Sequence, residues 1–216
     1  PRENYLKKIR GFYHDDGMIK VITGVRRCGK SCLMQCIADE LRAGGVDDEH
    51  IVFFDLDRYG YRSVKAPEQL EALIEPLLAI SGTKYLFIDE VQNVEGFEDV
   101  LNEFRTEGGF SIFITGSNSY LLSGELATKL TGRYIEFEIQ TLDFGEYCQM
   151  KRFLGLPVSP NPVAEFDAYI LEGGFPKAMD YPGLTDKRAY VAAVIQEIFE
   201  KDIRRRVKIK NVSVFN

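Results

Sequence analysis

Eight consecutive residues, Gly24 to Ser31, constrain the fold more strongly than any other part of the chain. They read Gly-Val-Arg-Arg-Cys-Gly-Lys-Ser, which is the phosphate-loop pattern of two glycines separated by four residues and followed by Lys and Ser. An apolar run precedes this loop at Met18–Thr23, and a helical pattern follows it over Lys30–Arg42. In that context, backbone N–H groups, the positive end of the helix and the charge of Lys30 all face phosphate oxygens. The sequence therefore predicts a site for a nucleoside triphosphate, which we take to be ATP.

The loop supplies most of the predicted nucleotide contacts. The residues assigned to nucleotide binding in this segment are Gly24, Arg27, Cys28, Gly29, Lys30, Ser31 and Cys32. The hydroxyl of Ser31 is also a predicted ligand of Mg²⁺, because this ion prefers oxygen ligands and bridges nucleotide phosphates. For Arg26 and Arg27 two interpretations stay open: contact with phosphate or a partner subunit, and plain exposure to solvent. We therefore expect ATP and Mg²⁺ as the bound groups.

A pair of acidic residues ends the third apolar run, Tyr85-Leu86-Phe87-Ile88-Asp89-Glu90. Asp89 is predicted to hold Mg²⁺ through its water shell, and Glu90 to orient and polarise the water that attacks the γ-phosphate. Alone, such a pair also fits a helix cap or a solvated turn. The upstream phosphate loop favours the catalytic interpretation, and water activation by Glu90 favours hydrolysis over transfer to an acceptor.

Further polar groups follow at positions where they can meet the γ-phosphate. Ser117 and Asn118 come after the apolar run Ser111–Thr115. They either sense the γ-phosphate or form an ordinary turn and N-cap. In the first case Ser117 is also a predicted nucleotide contact. Arg133 precedes the last predicted strand. It either stabilises charge that develops on the γ-phosphate, in its own or a neighbouring subunit, or pairs with an acid such as Glu136. The candidate catalytic residues are Lys30, Glu90, Asn118 and Arg133.

The alternation of apolar and helical segments sets the fold class. Between Met18 and Ile139, short β-rich runs alternate with helical patterns, as in a parallel sheet flanked by helices. The predicted strands are Met18–Thr23, Ile51–Asp55, Tyr85–Asp89, Ser111–Thr115 and Tyr134–Ile139, and the predicted helices are Lys30–Arg42, Pro67–Ile80, Phe97–Glu107, Asp143–Leu154, Val163–Glu172 and Asp186–Lys208. We therefore expect an α/β P-loop core with a five-stranded parallel sheet over residues 1–140 and a smaller helical lid over residues 141–216.

Composition disfavours several classes of protein. The 216 residues include 27 Lys and Arg against 33 Asp and Glu, and the formal charge of −6 gives no general attraction to nucleic acid or anionic lipid. No apolar run approaches the roughly 18 to 20 residues that span a bilayer, and no secretion signal opens the chain, so we expect no membrane partner and a cytoplasmic location. Cys28, Cys32 and Cys36 are one helical turn apart, which is unsuited to a relaxed disulfide, and no His lies nearby to complete a metal site.

The C-terminal segment carries a basic run. Six of the ten residues from Lys201 to Lys210 are Lys or Arg. Such a run either binds DNA through phosphates or forms the solvated C-terminal end of a helix, which the helix dipole favours. Because no aromatic or base-reading side chains accompany the charges, we favour the solvated helix. The largely apolar end Val212–Asn216, and a start at Pro1 rather than Met, lead us to expect a fragment of a longer protein.

Together these motifs resemble those of the AAA-type ATPases of bacteria and archaea in which a P-loop domain precedes a C-terminal domain of unknown function. The matching segments, spread over nearly the whole chain, are Gly24–Ser31, Phe87–Gln92, Thr115–Ser119, Leu130–Arg133 and Leu171–Pro176. The resemblance implies a five-stranded core with the second strand at one edge. It places the metal-binding strand between this edge strand and the phosphate-sensing strand, and a helical lid after the core.

The same resemblance implies roles for the candidate residues and a function. Lys30, Ser31, Asp89 and Glu90 keep the roles derived above. Ser117 or Asn118 is the polar sensor, and Arg133 corresponds to an arginine finger. The implied function is ATP hydrolysis that moves the lid relative to the core and changes contact with a partner, which is a protein, a nucleic acid or further copies of the chain. A P-loop kinase of small molecules and a nucleotide-dependent switch or scaffold with little turnover are the alternatives.

Overall fold

The chain forms two compact units. The computed structural model describes residues 2–116 and 129–203. The first unit comprises the chain up to Gly24 together with Lys30–Ile139, and the second comprises Val25–Gly29 together with the described residues from Gln140 onward. None of the helices within the described ranges has the length and apolar character needed to cross a bilayer.

The first unit is built on a five-stranded parallel sheet. Its strands are β1 (Ile19–Thr23), β2 (Ile51–Asp55), β3 (Lys84–Asp89), β4 (Phe110–Thr115) and β5 (Tyr134–Glu138). They pair in the order β2-β3-β4-β1-β5, and every neighbouring pair is parallel. The expected α/β fold is therefore confirmed, with the second strand at one edge and the strand that ends in Asp89 between it and β4. All five carboxyl ends lie at one edge of the sheet, where ligands bind in open α/β folds.

Helices precede, connect and follow the strands. The helices in the described ranges are α1 (Glu3–Ile9), α2 (Lys30–Ala43), α3 (Pro67–Ile74), α4 (Phe97–Glu107), α5 (Phe144–Phe153), α6 (Pro162–Glu172) and α7 (Leu184–Ile198). Helix α1 has no counterpart among the predicted helices. The prediction made α3 too long: it gives way to a 3₁₀ segment at Glu75–Ala79, because Pro76 has no N–H for a helical hydrogen bond. The predicted helix Asp186–Lys208 corresponds to α7, which begins two residues earlier and ends at Ile198. A π-helical turn follows at Phe199–Ile203, and positions 204–208 lie outside the described ranges.

The three central strands of the sheet, β1, β3 and β4, are buried on both faces, whereas the edge strands β2 and β5 are partly exposed. On one face, α3 and α4 pack against aliphatic side chains of the central strands, which are Ile19, Val21, Leu86, Ile88, Ile112 and Ile114. On the other face, three rings stack in register across β2, β3 and β4. The ring centroids of Phe53 and Phe87 are 4.5 Å apart, and those of Phe87 and Phe113 are 4.7 Å apart. Burial on both faces explains why the central strands read as largely continuous apolar runs instead of alternating ones.

Lys20 extends this row of rings with a buried ammonium group. The residue is 0% exposed on β1 and pairs in register with Phe113. Its Nζ lies 4.7 Å from the Phe113 ring centroid and donates hydrogen bonds to the backbone oxygen of Asp15 and, at 2.9 Å, to Ser111 Oγ. Burial lowers the pKa of Lys20 to about 8, although the carboxylates of Asp15 and Asp16 act in the opposite direction. Protonated Lys20 is therefore less favourable in the folded chain than in the unfolded chain.

This buried ammonium makes stability depend on pH in the alkaline range. Because the pKa of Lys20 is about 8 in the folded chain and 10.5 in its usual state, the folded state binds fewer protons and becomes more stable as pH rises through this interval. Relative to Lys20→Met, we expect the wild-type free energy of unfolding to rise by about 2 kcal/mol between pH 8 and pH 10. Urea unfolding followed by far-UV circular dichroism measures this difference. The exposed Lys65 provides a control in Lys65→Met, and a Lys20→Met profile parallel to that of the wild type would contradict the prediction.

The second unit contains a small helical core and paired charges. Its buried core residues are Leu142, Tyr147, Cys148 and Met179. Lys151 Nζ donates a hydrogen bond to the buried carboxylate of Glu165. Glu172, at the end of α6, accepts hydrogen bonds from the Tyr147 hydroxyl at 2.9 Å and from Lys187 Nζ. Buried charges require such partners, because an unpaired buried charge is strongly destabilising. The interior of this unit therefore depends on matched polar groups as well as on apolar contacts.

Gly174 permits a close backbone contact after α6. Its carbonyl oxygen accepts a 2.7 Å hydrogen bond from the Leu142 N–H, and a Cβ at this position would lie 2.5 Å from the Leu142 carbonyl oxygen and 3.0 Å from Thr141 Oγ1. Since backbone atoms cannot move aside without breaking this contact, we expect Gly174→Ala to lower the free energy of unfolding by about 3 kcal/mol. Urea unfolding tests this, with Gly60→Ala as control because no atom of the described residues lies within 4 Å of a Cβ there. Equal stability of the two variants would refute the expected clash.

Candidate functional site

The phosphate loop runs from the carboxyl end of β1 into α2. Gly24 and Gly29 have φ values of 150° and 109°, and Arg27 has a φ of 63°. Glycine is favoured at a position such as Gly29, because L side chains rarely adopt this backbone conformation. Lys30, the first residue of α2, is buried, and its Nζ donates a 3.1 Å hydrogen bond to the Gly24 carbonyl oxygen. This bond closes the loop and holds the ammonium group at the amino end of α2, where anions bind readily.

Three adjacent strands bring polar groups to the edge of the sheet where the loop begins. Asp89 ends β3, Thr115 ends β4 and Gly24 follows β1, and these strands are neighbours in the order β3-β4-β1. Asp89 is only 8% exposed, and its Oδ1 accepts a hydrogen bond from Thr115 Oγ1. The same Thr115 oxygen accepts a 3.0 Å hydrogen bond from the backbone N–H of Glu90. Thr115 thus positions both acidic residues relative to β4.

Glu90 turns the chain sharply at the end of β3. Its φ of 56° and ψ of 46° lie in the left-handed region, which is uncommon for residues other than glycine and occurs often at functional sites. Its side chain is half-buried, and Oε2 accepts a hydrogen bond from Gln92 Nε2. A neutral amide therefore orients the carboxylate without neutralising its charge.

The oxygen donors at this edge fit the predicted magnesium ion. Within the part of the chain that the structure describes, the buried Asp89 carboxylate has a hydroxyl donor but no ion-pair partner. A buried carboxylate in that condition is stabilised by a cation. Ser31, the second residue of α2, is exposed and carries a hydroxyl group. Carboxylate, hydroxyl and phosphate oxygens are the ligands that Mg²⁺ prefers. Ser31 and Asp89 are therefore suitable as a donor pair.

The remaining catalytic candidates are less closely connected to these groups. Arg133 is exposed just before β5, and it forms no ion pair with the described residues. Glu136, the alternative partner of Arg133, instead accepts a 2.7 Å hydrogen bond from Thr23 Oγ1. Ser117 and Asn118 lie outside the described ranges. The arginine-finger role of Arg133 and the sensor role of Ser117 or Asn118 thus stay predictions.

Three loop positions have very different environments. Arg27 is not simply solvated, since its Nε and Nη2 donate hydrogen bonds of 3.1 and 3.0 Å to Oε2 of Glu197. Cys28 is fully buried, whereas Cys32, in the first turn of α2, is exposed. Direct nucleotide contacts of Arg27, Cys28 and Cys32 remain predictions.

Among the residues that the structure describes, three that contact the candidate site were not identified from the sequence. Thr115 could have been found from the sequence, because it is a hydroxyl residue at the end of a predicted strand, and this strand is the next one along the chain after the strand that ends in Asp89. Gln92 had a weaker indication in the sequence, namely an amide side chain two residues after the acidic pair. Glu197 had none, because it lies 170 positions from Arg27 in the sequence. Contacts of this kind depend on the tertiary fold and leave no local pattern.

Curated relatives are similar to nearly all of this chain. It is 36% identical over 217 residues to an uncharacterized protein of Haemophilus influenzae, in an alignment that covers 99% of this chain and 52% of the relative. It is 35% identical over 204 residues to an uncharacterized protein of Methanocaldococcus jannaschii, with 90% of this chain and 44% of the relative covered. The chain thus spans about half the length of these relatives.

Solved structures and a family model agree on the fold. The structure of the Aeropyrum pernix ORC1 protein in complex with DNA matches with a TM-score of 0.59 and 14% identity, covering 95% of this chain and 61% of that chain. The structure of C. elegans PCH-2 matches with a TM-score of 0.51 and 14% identity, covering 85% and 62% respectively. A family model described as an AAA domain matches residues 16–148. Since this match covers more than half of the chain and agrees with its strand order and phosphate loop, the chain belongs to the AAA family of P-loop ATPases.

Proposed function

We propose that the chain is a Mg²⁺-dependent ATPase that uses ATP binding and hydrolysis to move its C-terminal helical region or a bound partner. One observation carries the proposal: the start of the phosphate loop, Thr115 and the Asp89-Glu90 pair lie at the carboxyl ends of the adjacent strands β1, β4 and β3. A phosphate-binding loop near a metal-binding and a water-activating carboxylate is the arrangement that phosphoryl transfer to water requires. Membership of the AAA family supports nucleotide binding.

Each part of this arrangement has a distinct chemical role in the proposal. Backbone N–H groups of Gly24–Lys30 and the Nζ of Lys30 bind the β- and γ-phosphates. Ser31 and Asp89 would hold Mg²⁺, which supplies positive charge to the phosphates when bound. Glu90 orients a water molecule and accepts its proton as the water oxygen attacks the γ-phosphate. The bond between the γ-phosphorus and the oxygen that bridges the β- and γ-phosphates breaks, and ADP and inorganic phosphate leave.

Two further groups act around the γ-phosphate. Ser117 or Asn118 senses whether it is present, and Arg133 stabilises the negative charge that develops on it during transfer. The exposed position of Arg133 before β5 is compatible with a site in a neighbouring subunit. A homo-oligomer is therefore the assembly in which we expect full activity.

Two alternatives make different predictions. A P-loop kinase would transfer the γ-phosphoryl group to an acceptor and would have no need of Glu90 as a water activator. A nucleotide-dependent switch or scaffold would bind ATP and scarcely turn it over. The carboxylate of Glu90, directly after the proposed metal ligand Asp89, supports hydrolysis over both, because it would supply a base for water next to the residue that would hold the metal ion.

The macromolecular partner is proposed only by class. The A. pernix ORC1 protein was solved with DNA, which makes nucleic acid one candidate, and the basic run Lys201–Lys210 would supply phosphate contacts. The net charge of −6 argues against general attraction to nucleic acid. A protein partner or further copies of the chain are the other candidates.

ATP binding and phosphate release by the full chain test the proposal. We expect saturable binding of a fluorescent ATP analogue and phosphate release that EDTA abolishes. Lys30→Ala should weaken binding about 10- to 100-fold, because it removes charge-assisted hydrogen bonds to phosphate. Lys65→Ala, which removes an exposed lysine, serves as the control. Equal affinity of Lys30→Ala and wild type would argue against the site, and binding without turnover would favour the switch or scaffold.

A further inference from the structure

Arg27 has an unusual backbone conformation within the phosphate loop. Its φ of 63° lies in the left-handed region, which glycine adopts freely and other residues adopt at a cost. Because the loop binds phosphate through its backbone N–H groups, the turn at Arg27 affects the direction in which those groups point. Such a strained turn persists only where surrounding contacts hold it.

Glu197 on α7 provides a contact of this kind. The Nε and Nη2 atoms of Arg27 lie 3.1 and 3.0 Å from Oε2 of Glu197. The guanidinium carbon of Arg27 also lies 6.0 Å from the ring centroid of Tyr190. Tyr190 and Glu197 are about two helical turns apart and so lie on the same face of α7. Both ends of the Arg27–Glu197 contact belong to the same compact unit. The turn of the loop is therefore attached to one face of this helix.

Glu197 is itself fixed in position. Its Oε1 accepts a 2.7 Å hydrogen bond from Lys201 Nζ, four residues further along the chain, and its side chain is 25% exposed. Hydrogen bonds from Lys201 and Arg27 hold the pKa of the Glu197 carboxyl below its usual value, so the group stays ionised at neutral pH. An ionised carboxylate and a guanidinium form charge-assisted hydrogen bonds, which are stronger than neutral ones.

We propose that Glu197 is a positioning residue of the phosphate loop, which acts through Arg27 to hold the loop in its phosphate-binding turn and makes nucleotide affinity depend on α7. This inference rests on the proposed function of the loop as a nucleotide site. Since coupling between two sites is reciprocal, bound nucleotide in turn stabilises the contact between Arg27 and Glu197. The face of α7 that carries Glu197 then responds to the nucleotide state of the loop.

Hydrogen–deuterium exchange and nucleotide binding by the full chain test this role. Glu197→Ala is expected to speed exchange of the Val25–Gly29 amides without nucleotide, because the loop loses its attachment. It is also expected to weaken binding of a fluorescent ATP analogue about tenfold. Gln196→Ala removes the neighbouring exposed side chain of α7 and is the matched control, with wild-type exchange and affinity expected.

The decisive comparison uses Arg27→Gly, because glycine adopts a φ near 63° without strain. In that background, Glu197→Ala should produce no further change in loop exchange or nucleotide affinity. If Glu197 had a merely structural role in α7, Glu197→Ala would cause the same loss of nucleotide affinity in the wild type and in Arg27→Gly. That result would overturn the proposal. So would the absence of any effect of Glu197→Ala in the wild type. If the wild type binds no nucleotide while Glu197→Ala still speeds loop exchange, the proposed function fails and the positioning role of Glu197 stands.

Discussion

Glu90→Gln is expected to slow steady-state phosphate release by about 10²- to 10⁴-fold while ATP binding persists. The substitution keeps the size of the side chain but removes the carboxylate that we propose accepts a proton from the attacking water. The left-handed turn and the Thr115 hydrogen bond involve the backbone of Glu90, so the local structure should survive the change. Phosphate release with Mg²⁺ and binding of a fluorescent ATP analogue, measured on the same preparation, separate catalysis from affinity.

Glu95→Gln is the matched control, because Glu95 is an exposed carboxylate five residues further along the chain. It should hydrolyse ATP like the wild type. Undiminished phosphate release by Glu90→Gln would remove this residue from the catalytic step. Transfer of label from ATP to an acceptor, in place of phosphate release, would indicate a kinase. Loss of ATP binding in Glu90→Gln would instead indicate a structural role.

Arg133→Ala is expected to reduce phosphate release by about 10³-fold or more, because an arginine finger stabilises charge that develops only in the transition state. ATP affinity should change little for the same reason. Measurements at several protein concentrations show whether the finger acts across a subunit interface. If it does, wild-type specific activity rises with concentration as the subunits assemble.

Mixing two inactive variants provides a sharper test of the finger. Arg133→Ala keeps Glu90, and Glu90→Gln keeps Arg133, so a mixed assembly with a finger in trans regains turnover at some of its sites. Arg188→Ala, which removes an exposed arginine of α7, is the control and should behave like the wild type. Wild-type turnover by Arg133→Ala at every concentration would exclude the finger role.

Much of the core could be predicted because its signals are local. Parallel strands buried on both faces give continuous apolar runs, and the five predicted strands match β1 to β5 to within one residue at each end. Phosphate loops require glycines at set positions, and Gly29 does have the backbone conformation that explains its identity. The acidic pair that begins with Asp89 was recognisable because it ends an apolar strand. Helix ends were less predictable, as the 3₁₀ segment around Pro76 illustrates.

The sequence by itself thus determined the α/β class, the phosphate loop and the position of Asp89 at a strand end, since each follows from residue types at short spacing. Only the tertiary structure decided which side chains meet over long separations. It placed the Thr115 hydroxyl on Asp89, attached Arg27 to Glu197 and buried the ammonium group of Lys20. A hydrogen bond or an ion pair depends on where two atoms lie in space, and strand order and helix packing set that position independently of the distance along the chain.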